Sequence, residues 1–330
     1  MTQSNHSLKE AARQALAPIA EDMLAVERII SEEMQSAVGH VEEIARYITS
    51  AGGKRMRPAL LILMARAMGA DRQKAAYLGA VIEILHTATL MHDDVVDEGM
   101  VRRGRPTANA QWGNAQAVLV GDFLYTRSFQ MMVRAGNLKV MQALSDAANR
   151  LSEGEVLQMN NAHNPDTTEE KYFAVIERKT ACLFEAAAHM AAAIADAPAE
   201  LEDACTKYCL HLGNAFQIAD DILDYAGEAE TIGKNLGADL REGKVTLPLL
   251  YAMELAAQDD RELIREAVRK GEGDFERISR IVIESGALEK CRQKAFEEAA
   301  SGEKAIAALG SGQFTKSLVQ FLALSVRRDH

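Results

Sequence analysis

The chain is short of the residues that staple, break or rigidify a fold. Of its 330 residues four are cysteine, six proline and one tryptophan, and aromatics make up only 5%. Four thiols cannot cross-link a chain of this length, so a disulfide scaffold is excluded and reduced cysteines are expected. Prolines at 18, 58, 106, 165, 198 and 248 leave long stretches in which nothing interrupts a helix. No run of roughly 18 apolar residues passes without a charge; the most apolar windows are broken by Arg66, Glu83 and Glu185, and no membrane span is expected. Strand-like alternation of useful length is also absent. The opening MTQSNHSLKEAARQ has neither the apolar core of a secretion signal nor the arginine-rich pattern of a transit peptide, so a cytoplasmic protein is expected. A formal charge of -11 argues against non-specific nucleic-acid binding.

What the chain does have is 48% hydrophobic residues, enough for a core, which excludes disorder. Apolar positions recur at three and four residues, as in Leu16, Ile19, Met23, Leu24, Val26, Ile29 and Ile30, and this period returns in nearly every segment. Glycine and proline mark loops near 52–53, 99–106, 136–137, 161–168, 198 and 227–248. Thr167 with Glu170 reads as a capping box opening the helix after the 161–165 turn. No linker separates two halves. The expectation is an all-α chain, one domain over 1–330, folded as a single large helical bundle.

One short pattern occurs twice. Residues 90–98 read LMHDDVVDE and residues 216–225 read FQIADDILDY. Four-residue spacing places Asp93 with Asp97, and Asp220 with Asp224, on one helix face each. Flanking Val95, Val96, Ile218 and Ile222 mark these as core-type helices. A single such motif can be a solvated acidic face. Two are costly unless cations compensate the repulsion and lost hydration. Hard carboxylate oxygens suit Mg²⁺, which keeps most of its waters and bridges carboxylates to a substrate phosphate. Positive groups are available in GGKRMRP at 52–58, in Arg102, Arg103 and Arg105, and in Lys234 and Lys244. Arginine grips phosphate oxygens bidentately and lysine as a point charge. Arg102 and Arg103 follow the first aspartate motif, and the two lysines follow the second. His86 stands seven residues before Asp93, two turns along the same face, which favours a ligand role over a core histidine.

Together GGKRMRP, HTATLMHDDVVDEGMVRRG, GDFLYTRSFQMM, GEVLQ, KTACLFEAA, FQIADDILDY and GKNLGADLREGKVTLPLL resemble the trans-type polyprenyl diphosphate synthases, most closely over about residues 45–250. The resemblance implies the isoprenoid synthase type of fold, helices around a central cavity, in a homodimer that touches membrane at most loosely. It implies that Asp93, Asp97, Asp220 and Asp224 bind Mg²⁺, three ions per site, gripping an allylic diphosphate, with Asp94 and Asp221 in support. Lys54, Arg57, His86 and Arg103 then hold isopentenyl diphosphate, while Arg102, Lys179, Thr180, Gln217, Lys234 and Lys244 contact the allylic diphosphate. Catalysis falls to Asp93, Asp97, Lys179, Thr180, Gln217 and Asp220. Ala88 and Thr89 lie one turn below Asp93, where short-chain members carry bulky residues; their smallness implies an open tunnel and a product of about forty carbons, the precursor of a quinone side chain. Leu85, Val81 and Ile82 continue its wall, and Phe123, Met131 and Met132 form its floor.

Two other readings compete. His92-Asp93 could be the metal dyad of a phosphohydrolase, and the chain could be a non-catalytic synthase subunit, which would be expected to have eroded aspartate motifs. Cys205, Cys209 and His211 faintly suggest zinc, but the paired spacing of zinc sites is missing and core thiols are expected.

Overall fold

The computed structural model describes residues 10–226 and 237–326. Its helices are α1 (Ala20–Glu33), α2 (Gly39–Ser50), α3 (Met56–Ala67) and α4 (Arg72–Val96), then α5 (Ala108–Trp112), α6 (Asn114–Ala135), α7 (Leu138–Asn161) and α8 (Glu169–Ile176). There follow α9 (Cys182–Ala195), α10 (Ala199–Ala226), α11 (Ala238–Arg241), α12 (Leu247–Leu255), α13 (Gln258–Lys270), α14 (Phe275–Glu284), α15 (Ala287–Ile306) and α16 (Gln313–Val326). Between α4 and α5, β1 (Val101–Arg102) pairs antiparallel with β2 (Arg105–Pro106). The ribbon's turn, Arg103 and Gly104, has φ of 55° and 73°, the doubly left-handed geometry that matches strand twist in a two-residue hairpin.

Two hydrophobic cores organise the helices. The larger gathers apolar faces of α1, α3, α4, α6, α7, α9 and α16, and the smaller those of α8 and α12 to α15. Helix α10 serves both: Cys205, Tyr208, Cys209 and Leu212 enter the first, and Ile218, Ile222 and Tyr225 the second. Its 28 residues span about 42 Å. Helices α3 and α9 are apolar nearly all round and run through the interior. Ala186, Ala187, Ala188, Ala191 and Ala192 let α3, α7 and α10 come close to α9.

Local details differ from the sequence reading. The cap of α8 is Thr168, whose hydroxyl accepts from the Lys171 N–H, while Thr167 Oγ1 donates to the Asn164 carbonyl. Leu24 leaves the stripe of α1 and is 72% exposed. All four cysteines are buried free thiols. Cys209 Sγ packs 3.8 Å from Met64 Sδ and His211 Nδ1 pairs with Glu298 at 2.8 Å, so no zinc site forms there.

Candidate active site

A cavity of about 890 Å³ opens between α3, α4, α7, α8, α9 and α10, with α11 and the 244–246 segment before α12 also on its wall. Asp93, Asp97, Asp220 and Asp224 all line it. Asp93 lies on the last turn of α4 and Asp97 is its C-cap, where the helix dipole is already negative and a carboxylate is least welcome without a cation. Burial first, then the charges of Glu155 and Asp97, push the Asp93 carboxyl up to about 7. Asp94 turns away and accepts from Arg102 Nε at 2.7 Å. On α10, Asp221 likewise faces inward, accepting from Gln217 Nε2 at 2.8 Å and from the Tyr172 hydroxyl at 2.7 Å, and its burial raises its pKa well above the usual carboxylate range. The first motif thus sends two carboxylates into the cavity and anchors a third outside it, while in the second the anchored Asp221 also borders the cavity beside Asp220 and Asp224.

Lys179 and Thr180 reach the cavity from a π-helical turn, Glu177–Ala181, that joins α8 to α9. Such turns re-aim side chains that an α-helix would carry elsewhere. Two glycines make room for it. A Cβ on Gly154 of α7 would meet Arg178 Cβ at 2.8 Å, and one on Gly213 of α10 would meet Ala181 Cα at 2.7 Å. Lys179 Nζ lies 2.7 Å from Glu155 Oε2, and Thr180 Oγ1 donates to Gln217 Oε1 at 2.9 Å. Gly213→Ala should displace the turn and lower kcat about tenfold or more, the scale expected for misplacing reacting groups, with helical content by circular dichroism unchanged. Opposite, Lys244 Nζ stands 3.6 Å from Asp97 Oδ1 and also pairs with Glu242. Lys234 lies outside the described residues.

The cavity wall also carries a basic set, Lys54, Arg57, His86 and Arg103. The Arg103 guanidinium lies against Gly53, where a Cβ would come within 2.5 Å of Nη1. Arg57 is stacked on the Phe184 ring at 4.8 Å, and its Nε is buried without a hydrogen-bond partner, an arrangement that calls for an anion. Burial and then the charges of Arg57 and Arg103 hold His86 well below the ordinary imidazole range. Arg55, between Lys54 and Arg57 in sequence, also borders the cavity but is tied to structure. It takes φ 45° at the N-cap of α3 and binds Glu27 at 2.7 Å, Glu83 at 2.9 Å and the Thr49 carbonyl at 2.9 Å.

The residues fit a divalent cation that needs its substrate. Their donors are carboxylate oxygens, crowded enough to raise Asp93, yet among the described residues no three carboxylates, imidazoles or thiols close a metal shell by themselves. That suits a cation whose shell is completed by water and phosphate. The Asp93 shift has a sign. Between about pH 4 and 7 the folded protein keeps a proton that the unfolded chain has released, so metal-free stability should fall as pH rises through that window. Melting temperatures without Mg²⁺ should show this slope, and Asp93→Asn should flatten it.

The family profile of polyprenyl synthetases matches residues 38–284, a span that holds both aspartate motifs, the basic pocket and the π-turn. The chain belongs to the polyprenyl synthetase family. As a member it is a prenyltransferase, a trans-polyprenyl diphosphate synthase, in a family that works with a divalent metal. It is 46% identical to octaprenyl diphosphate synthase of Escherichia coli (strain K12) over 94% of this chain and 97% of the relative. It is 45% identical to the all-trans-nonaprenyl-diphosphate synthase (geranyl-diphosphate specific) of Rhodobacter capsulatus, over 95% and 97%. Among solved structures, polyprenyl synthase from Caulobacter crescentus, complexed with calcium and isoprenyl diphosphate, superposes with a TM-score of 0.92 at 39% identity, covering 96% of this chain and 98% of that one.

In this synthase the phosphohydrolase dyad does not form. His92 points away from the cavity towards α6, with Nε2 3.3 Å from the Val118 carbonyl and 3.4 Å from Asp122 Oδ1, in space left by Gly121. Of the chain-length candidates, Thr89 lines the cavity and donates to the His86 carbonyl at 2.9 Å. Ala88, Leu85, Val81, Ile82, Met131 and Met132 are fully buried in the larger core and do not reach the cavity wall, and Phe123 packs under Arg127 instead. The seam between α4 and α6 where they meet is closed. The sequence reading passed over Glu83, Glu155, Tyr172, Phe184 and Asp239, all on the wall. Glu155 and Phe184 sit inside quoted motifs, and Glu83 is one turn from His86, which was the available signal.

Proposed function

We propose that this synthase extends an allylic primer such as farnesyl diphosphate by isopentenyl units to octaprenyl diphosphate, a chain of about forty carbons for a quinone side chain. The observation that carries this is one cavity whose wall brings two aspartate pairs together with Lys179, Lys244 and the basic set Lys54, Arg57, His86 and Arg103. Charge develops on the departing diphosphate as the allylic C–O bond breaks, so groups placed beforehand around it stabilise the transition state more than the bound substrate. Mg²⁺, three ions by family resemblance and held by Asp93, Asp97, Asp220 and Asp224, supplies the neutralising charge there. Lys179 and Lys244 contribute fixed positive charge, with Arg102 beside Asp94 and Lys234 assigned by resemblance. Lys54, Arg57, His86 and Arg103 hold isopentenyl diphosphate with its double bond towards the allylic carbon. The oxygens of Thr180 and Gln217 face the developing cation. A proton then leaves the new unit for the released diphosphate.

The long product is supported by a small Thr89 at the wall and by similarity to enzymes named for octaprenyl and nonaprenyl products. Incubation with farnesyl diphosphate, isopentenyl diphosphate and Mg²⁺ should yield a product of about forty carbons by mass spectrometry. Phosphate release without isopentenyl diphosphate, or elongation that halts after one addition, would refute the proposal. We also propose a homodimer built on α6 and α7, where Leu119 is 63% and Met159 62% exposed; sedimentation velocity tests it. Residues 1–330 are proposed to act as one domain because α10 threads both cores. Among the described residues no helix is long and apolar enough to cross a membrane. The proposed location is the cytoplasm, with at most loose membrane contact for product release.

A further inference from the structure

The loop from α7 to α8 and the loop from α11 to α12 meet at one side chain that none of this chemistry uses. His163 has a left-handed backbone, φ 59°, which a non-glycine residue keeps only where its surroundings hold it. Its backbone N–H donates to the Gly243 carbonyl at 2.9 Å. Its Nδ1 lies 3.1 Å from the carbonyl of Val268 on α13; a carbonyl only accepts, so that nitrogen carries the proton. The ring occupies space left by two glycines. A Cβ on Gly243 would lie 2.5 Å from Nδ1, and one on Gly271 2.9 Å from Cε1. The residue after Gly243 is Lys244, whose N–H donates to the Asp239 carbonyl at 2.8 Å and whose Nζ faces Asp97.

We propose that His163 is a positioning residue for Lys244. It latches the 242–246 loop to the 161–168 loop and to the end of α13, so that the Lys244 ammonium stands opposite Asp97 before the allylic diphosphate arrives. A flexible lysine on a free loop would have to be ordered at each turnover, and the latch makes that arrangement in advance. This rests on the reading of Lys244 as a contact of the allylic diphosphate, and Lys244→Ala alone tests that reading.

The latch is tested by a double-mutant cycle. His163→Ala should lower kcat/KM for the allylic diphosphate about tenfold, leave KM for isopentenyl diphosphate within about twofold, and add less than about twofold in a Lys244→Ala background. His163→Asn should restore most of the loss, since asparagine tolerates the left-handed backbone and its amide donates to the Val268 carbonyl. An equal loss in both backgrounds, a loss confined to isopentenyl diphosphate, or a failure of His163→Asn to outperform His163→Ala would overturn the proposal. If His163→Ala does not fold, Gly271→Ala crowds the ring, and the Arg241 carbonyl with it, from the other side; it should give the same substrate-selective loss, and wild-type kinetics in that variant would overturn the latch.

Discussion

Asp93→Ala is expected to lower turnover at least about a thousandfold while leaving the fold intact. The magnitude follows from the role proposed for the carboxylate, an oxygen ligand at the point where leaving-group charge would develop: deletion of a single preorganised contact of that kind costs about 10²–10³ in kcat. Loss of a metal ligand adds to this. The same change should raise the melting temperature of the metal-free protein. Asp93 is desolvated beside Glu155 and Asp97, with its carboxyl pushed up to about 7, so its removal relieves a burial cost and a repulsion that Lys179 and Arg102 offset only in part. Lost activity with gained stability separates a metal-binding role from a structural one. Near-normal elongation by this variant would remove Asp93 from the site.

Thr89→Phe is expected to cut the product to about fifteen or twenty carbons while the first condensations proceed. Thr89 is four residues before Asp93 on α4, one turn down the same face, and is the chain-length candidate that touches the cavity. A phenyl group there should block growth along α4 while leaving the aspartates and the basic residues themselves unchanged. Chain-length analysis by mass spectrometry reads the effect directly, and an unchanged distribution would mean that the product leaves the cavity by another wall. Ala88 and Leu85 lie in the closed α4–α6 seam, and if the growing chain opens that seam, substitutions there should act on late additions and spare early ones.

The aspartate pairs, the basic segment and the loops were legible in the sequence because each depends on spacing within one helix or one turn. Asp93 and Asp97 share a face wherever the helix sits. What escaped depended on contacts between distant segments or on departures from the regular period. The π-turn carrying Lys179 and Thr180 leaves no mark in apolar periodicity, and it exists because Gly154 and Gly213, 25 and 34 residues away in sequence, leave space on either side. Arg55 looked equivalent to Lys54 and Arg57, but its left-handed backbone turns it to Glu27 and Glu83. His92 is adjacent to Asp93 in sequence and about 100° around the helix from it, which sends it to α6. Met131 and Met132 have the pattern of a tunnel floor and of plain core alike, and they pack as core. Whether a side chain meets the cavity or a neighbouring helix is set by packing, which no local pattern encodes.

The central claim is that two facing aspartate motifs bind one diphosphate through divalent cations. Its most direct measurement is calorimetric titration of the protein with an unreactive thio analogue of farnesyl diphosphate, with and without Mg²⁺, in the wild type and in Asp93→Asn and Asp220→Asn. Binding should require Mg²⁺ and weaken by at least about tenfold in each variant. Binding that is independent of Mg²⁺, or that survives both substitutions unchanged, would contradict it.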